Sequence, residues 1–216
     1  MADVTYYDTA KFEGFDAVFD RLSYANNFGP PYSLKTYDRI SSSDGYTYKV
    51  GTFGYLYLYT NGVYLYQTNP YTMNGLSAGE IGYDSYTILN SYGTETTFVA
   101  QIYGANDSPV VGGPVSAASF EDGNVVRINA LQDSFDPDHD GILSIVNIQS
   151  SLPAGVTYDE SSKTFAIDPA NAAYQALARG ETQAVTVTYS VSDGIAAPVA
   201  QTAVFVITGV NDAPVV

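Results

Sequence analysis

Aromatic and apolar residues alternate with polar ones, at the period of two that marks half-buried strands, along most of this chain. Tyr46 and Tyr48, then Tyr55, Tyr57 and Tyr59, keep that period. Thr60-Asn61-Gly62 follows, and Asn-Gly between two such runs predicts a hairpin, with Tyr64 and Tyr66 on the returning strand. Asp84 to Leu89 and Thr96 to Tyr103 read as two more strands. Further on, strands are predicted at Val125 to Ile128, Leu143 to Val146, Val156 to Tyr158, Thr164 to Ile167, Ala184 to Val191 and Thr202 to Ile207. In Ala184 to Val191 the residues Val185, Val187, Tyr189 and Val191 share one face. Ala170 to Ala178 suits a helical turn over one end of the fold. The first 30 residues carry two readings. Phe12, Phe15, Phe19 and Leu22 recur at three or four residues, as in a short helix, and the same stretch fits an irregular first strand.

The chain repeats itself. Gly104-Ala105-Asn106-Asp107-Ser108-Pro109-Val110-Val111 returns as Gly209-Val210-Asn211-Asp212-Ala213-Pro214-Val215-Val216, 105 residues later. Upstream of the octets, Gly54 matches Gly155, Tyr57 matches Tyr158 and Tyr64 matches Phe165. Leu76, Gly79, Glu80 and Gly93 match Leu177, Gly180, Glu181 and Gly194, all at an offset of 101 without a gap. The final hairpin of the second copy is therefore four residues longer. Short strands with turn signals every 8–12 residues describe a sandwich of the immunoglobulin type. The expected architecture is all-β: two tandem Greek-key β-sandwich modules, residues 1–107 and 108–216, joined by a short linker.

Composition narrows the chemistry. The 216 residues carry 23 acidic and 8 basic side chains, a formal net charge of −15. That balance argues against nucleic acid, which calls for a basic face, and suits cation binding or solubility in salt. Cysteine is absent, so thiolate zinc sites and thiol redox chemistry are excluded. An extracellular protein without disulfides needs another staple, and metal is the usual one. No run approaches the roughly 20 apolar residues of a membrane helix. The opening Met1-Ala2-Asp3-Val4-Thr5 lacks the basic and apolar regions of a signal peptide. The chain reads as a piece of something longer, cut at a module border.

Asn106-Asp107 and Asn211-Asp212 offer hard oxygen ligands, and the following proline stiffens the exit. The octet thus reads as a calcium-rigidified linker, or as an Asn-Asp turn before a strand. Asp136-Pro137-Asp138-His139-Asp140-Gly141 opens like an EF-hand loop. The bidentate glutamate of such a loop would fall on Asn147, so the match ends there. Its acid density still suits calcium, against the alternative of a solvated acidic turn. His139 is the only histidine and lies beside acids, so no second imidazole exists to complete a zinc or catalytic site. Of the 20 tyrosines, all but Tyr158, Tyr174 and Tyr189 lie in the first module. They suit cross-strand packing, or else an aromatic ligand face built from Tyr55, Tyr57, Tyr59, Tyr64 and Tyr66.

Leu177-Ala178-Arg179-Gly180-Glu181-Thr182, Thr188-Tyr189-Ser190-Val191-Ser192-Asp193-Gly194 and Gly209-Val210-Asn211-Asp212-Ala213-Pro214 closely resemble the VCBS and cadherin-like repeats of bacteria. Those modules fill long RTX-type surface adhesins exported by type I secretion. The resemblance covers most of the second module and roughly Gly51 to Val111 of the first. It implies tandem β-sandwiches with Ca2+ at the junctions, and neighbouring modules of the same long chain as partners. It also implies a place at the bacterial cell surface or outside the cell. Carried over by motif, the implied ligands are Glu13, Glu80, Asn106, Asp107, Asp136, Asp138 and Asp193 at the first junction, and the acidic loop adds Asp140 as a candidate. At the C-terminal end they are Glu121, Glu181, Asn211 and Asp212. The first module has Tyr92 where the second has Asp193, and no Asp-x-Asp matching Asp136 and Asp138. Its upper end therefore lacks ligands for a preceding linker.

Three functions compete. A calcium-dependent extender of an adhesin follows from the repeat and the acidic octet. A glycan- or protein-binding module follows from the tyrosines. An enzyme is the weakest reading, because no nucleophile-base pair is visible and calcium accounts for the acids.

Overall fold

The computed structural model describes residues 5–12, 17–21, 30–41, 44–139 and 141–212. They form two compact units, Met1–Asn106 and Asp107–Val216, which puts Asp107 in the second. Among the described residues no helix is long and apolar enough to cross a membrane.

The first unit runs β1 (Thr5–Phe12), β2 (Ala17–Arg21), β3 (Ser33–Leu34), β4 (Arg39–Ser41), β5 (Tyr46–Val50), β6 (Gly54–Tyr59), β7 (Val63–Thr68), α1 (Pro70–Met73), β8 (Ile81–Leu89) and β9 (Glu95–Tyr103). One sheet has the order β1-β9-β8-β3, the other β2-β7-β6-β5-β4. The chain changes sheets after β1, β2, β3 and β7, the crossing pattern of a Greek key. Leu56, Leu58, Tyr64 and Tyr66 from one sheet meet Tyr86, Ile88, Phe98, Ala100 and Ile102 from the other in a single core. Of the four residues that fitted a helix, Phe12 and Phe19 lie in strands, and Phe15 and Leu22 lie outside the described residues. Pairing of β1 with β9 and of β2 with β7 outweighs the local periodicity.

The second unit runs β10 (Val110–Val111), β11 (Val115–Phe120), β12 (Val126–Asn129), β13 (Ser134–Phe135), β14 (Ser144–Val146), β15 (Val156–Asp159), β16 (Thr164–Ile167), β17 (Thr182–Ser192) and β18 (Val199–Thr208). Its sheets are β11-β18-β17-β14 and β12-β16-β15, with β10 paired to β13. Val185, Val187, Tyr189 and Val191 of β17 are buried together, as their alternation predicts. The stretch 170–178 makes turns without a helix. Tyr174 anchors it, its ring buried and its hydroxyl donating to the Ala154 carbonyl.

The two units share one topology. β1 lies parallel to β9 as β11 does to β18. The β8–β9 hairpin corresponds to β17–β18, and β6–β7 to β15–β16. The β4–β5 hairpin has no counterpart among the described residues of the second unit and widens the first unit's second sheet to five strands.

One expected correspondence shifts. Leu58 pairs with Tyr64 across β6–β7, and Tyr158 pairs with Phe165 across β15–β16. The structural partner of Tyr158 is therefore Leu58, not Tyr57, and the offset in this strand is 100. The cause is the loop. A two-residue Asn-Gly turn would set Tyr59 opposite Tyr64, but Thr60-Asn61-Gly62 forms a three-residue loop. One residue of slip turns a strand over. Tyr64 and Tyr66 accordingly face the core, 1% and 2% exposed, and do not join Tyr55, Tyr57 and Tyr59 on the ligand face expected of them.

Candidate functional site

The octets are clamped to the end of each unit by a loop carrying one glutamate. In the first unit the Gly104 N–H donates to the Glu80 carbonyl (2.9 Å) and the Gly79 N–H to the Gly104 carbonyl (3.3 Å). In the second, Gly209 and Glu181, and Gly180 and Gly209, do the same at 2.8 and 2.9 Å. The glutamate side chains are held alike. The Glu80 Oε2 accepts from the Ser77 N–H at 3.0 Å, the Glu181 Oε2 from the Ala178 N–H at 2.9 Å. The octet must open on glycine because the backbones touch. A Cβ at Gly104 would lie 2.4 Å from the Ser77 carbonyl oxygen, and one at Gly209 2.3 Å from that of Ala178.

The linker and the acidic loop meet within the second unit. The Asp107 N–H donates to Asp138 Oδ2 at 3.1 Å, and the Asp138 N–H to Asp136 Oδ1 at 3.0 Å. Asp138 is buried and Asp107 and Asp136 are half-buried. Burial, then the Asp136 charge, raises the Asp107 carboxyl above its ordinary value. Gly141 closes over Asp136, where a Cβ would come within 2.3 Å of the carboxylate carbon. The Asp136 Oδ2 is buried with no hydrogen-bond partner among the described residues. A hard oxygen in that state fits a cation better than an apolar lid does.

Glu121 stands at the other end of the same unit and is fully buried. Its Oε1 accepts from the Val210 N–H at 2.6 Å, while its Oε2 is buried without a hydrogen-bond partner among the described residues. The adjoining Asn211 and Asp212 are exposed. Asp193 spends its Oδ1 on its own turn, accepting from the Ile195 and Ala196 N–H groups at 2.8 and 2.9 Å. Asn106 is half-buried and belongs to the first unit. His139 is exposed. Glu13 and Asp140 lie outside the described residues. Among the described residues, no three of His, Asp or Glu converge closely enough to hold a metal ion unaided. The acidic groups thus offer hard oxygen donors at two places, and that donor chemistry fits calcium in kind.

Tyr55, Tyr57 and Tyr59 lie on the outer face of β6, and Tyr46 and Tyr48 of β5 join them there. The sequence did not mark Asp84, a buried carboxylate in the first unit. It accepts from the N–H groups of Thr52 (2.7 Å) and Phe53 (3.0 Å) and the hydroxyls of Tyr66 (2.7 Å) and Tyr86 (3.3 Å). Three of these donors converge on Oδ2 and one on Oδ1, so the carboxylate ties the 52–53 turn and two core tyrosines to β8.

No curated protein matches the chain. Among solved structures it is similar to Drosophila N-cadherin EC1-4, at 12% identity and a TM-score of 0.47 over 95% of this chain and 49% of that one. Mouse cadherin-23 EC22-24 is similar at 14% identity and a TM-score of 0.48, over 95% of this chain and 62% of that one. Human mucin-like protocadherin EC1-2 follows at 16% and 0.46, over 83% and 98%. The chain spans about half the length of the N-cadherin structure. Residues 105–208, which take in most of the second unit, match the family model described as Cadherin-like domain.

Proposed function

We propose that this chain is a two-module extender from a calcium-dependent adhesin, a bacterial surface or secreted protein of the VCBS and RTX type, working outside the cell. Its role is mechanical. It spaces other modules of the same long chain, and calcium stiffens the joints between them. On this reading Asp107, Asp136 and Asp138 contribute ligands to a calcium ion, and Asp140, Asp193, Glu13, Glu80 and Asn106 are the further candidate ligands. Glu121, Glu181, Asn211 and Asp212 begin an equivalent site for a following module.

The observation that carries this reading is the pair of buried, unpartnered carboxylate oxygens, Asp136 Oδ2 and Glu121 Oε2, each beside a hinge octet. Calcium takes six to eight oxygens, and the loop that opens at Asp136 lacks the closing glutamate of an EF-hand, so this reading draws further ligands from outside that loop. Calcium titrated into the full chain is expected to raise its melting temperature and lengthen its small-angle scattering profile. An unchanged melting temperature together with an unchanged profile refutes the proposal.

A further inference from the structure

The tyrosines of β5 and β6 form a continuous file of rings. Their order is Tyr55, Tyr48, Tyr57, Tyr46, Tyr59, with successive centroids 6.1, 4.9, 5.5 and 5.5 Å apart. Tyr48 lies directly opposite Tyr57, and Tyr46 opposite Tyr59, in the antiparallel register. All five are half-buried, each ring packed on at least one other of the file. Burial and the neighbouring phenols raise the Tyr57 hydroxyl above its ordinary value. It is therefore a neutral phenol at physiological pH.

We propose that this file is a site of oxidative tyrosine coupling, in which hydrogen peroxide and a haem peroxidase join β5 to β6 through a dityrosine bond centred on Tyr57. Each of two phenols gives up one electron and its hydroxyl proton. The two phenoxyl radicals couple through ring carbons ortho to oxygen, and each coupled ring loses its ortho hydrogen as a proton in regaining the phenol. The net loss is two hydrogens, and one peroxide becomes two waters. Close rings let the radical pass along the file, so the product does not depend on which phenol is oxidised first. The chain has no cysteine with which to staple the added β4–β5 hairpin, and this bond ties that hairpin to β6 covalently.

The molecule carries its own controls. Tyr71 and Tyr92 are 93% and 79% exposed, with no ring neighbour among the described residues. If accessibility governs coupling, these two react, and they do so between molecules. If proximity governs it, β5 and β6 react within one molecule at a yield independent of concentration.

The test treats the dilute full chain with peroxidase and hydrogen peroxide. Expected are the blue dityrosine emission, a monomer band on a denaturing gel and a mass lighter by two hydrogens. The peptide map should link residues 46–50 to residues 54–59. Tyr46→Phe with Tyr48→Phe keeps the rings and is expected to abolish the monomer product. Tyr71→Phe with Tyr92→Phe is expected to leave it unchanged. The proposal is overturned if the monomer product survives the first pair of substitutions. It is equally overturned if all coupled product is dimeric and disappears with the second pair.

Discussion

Asp84 occupies the place in β8 that Val185 holds in β17, on the buried phase of an alternating strand. The sequence contained that conflict, a carboxylate where the period demands an apolar side chain, but not its resolution. Two donors come from 31 and 32 residues upstream in chain order, a third from Tyr66, whose inward direction depended on a loop length, and the fourth from Tyr86 two positions along the same strand. Asp84→Val restores the apolar residue yet strands two backbone amides and two hydroxyls. It is expected to destabilise the first unit by about 3 kcal/mol or more, read from urea unfolding. The phenols add a pH dependence. Burial and Asp84 raise both Tyr66 and Tyr86 far above their ordinary values in the folded state. Their contribution to stability is then complete below the unfolded value of about 10 and is lost as pH rises above it. Each proton kept only by the folded state lowers stability by about 1.4 kcal/mol per pH unit. Tyr158 and Tyr189, pushed up to about 12, act in the same direction. Urea midpoints should fall steadily above pH 10, and a flat alkaline profile would show that the phenols titrate alike in both states.

At the scale of elements, the end clamps were the most legible feature of the chain. Leu76, Gly79 and Glu80 and their matches at an offset of 101, with the octets at 105, mark the loops and strand ends that bond to each other. The sequence could not show why the octets open on glycine, because the reason is a contact across space. Gly209→Ala forces a methyl to 2.3 Å from the Ala178 carbonyl oxygen, on a backbone that also accepts from Gly180. The cost is expected at about 1–3 kcal/mol, seen as a lower unfolding midpoint of the second unit. Gly113→Ala, with open space around its Cβ, serves as the control and should stay within about 0.5 kcal/mol. The β6 register was illegible for the opposite reason. Gly54 with Gly155 and Tyr57 with Tyr158 matched at the common offset, yet β6–β7 and β15–β16 turn through loops of different parity. Identity of residue type had coincided with a difference of face.

The two units of the whole molecule have separate hydrophobic cores that share no residue. A metal-free chain is therefore expected to unfold in two calorimetric steps. Asp107 sets the sign of the acid response. Its folded-state pKa is raised by burial and by the Asp136 charge, so its contribution is fully present at low pH and is lost as pH rises through the folded value. Without metal, the second unit carries at neutral pH a cost from crowded carboxylates that mild acid relieves. A cation reverses this, because it favours the ionised forms that the empty loop disfavours. At a hundredfold excess over its dissociation constant, calcium adds about 2.7 kcal/mol to whatever folded state binds it. Calorimetry of the full chain should show the second unit's transition moving upward with calcium near neutral pH. The shift should shrink as the pH falls towards the carboxylate range, and Asp136→Asn with Asp138→Asn should remove it at every pH. Ordinary surface screening makes a different prediction: magnesium at equal ionic strength would move the transition as far as calcium does. An equal response to the two ions, or one that survives the double substitution, would mean that these acids are not a calcium site.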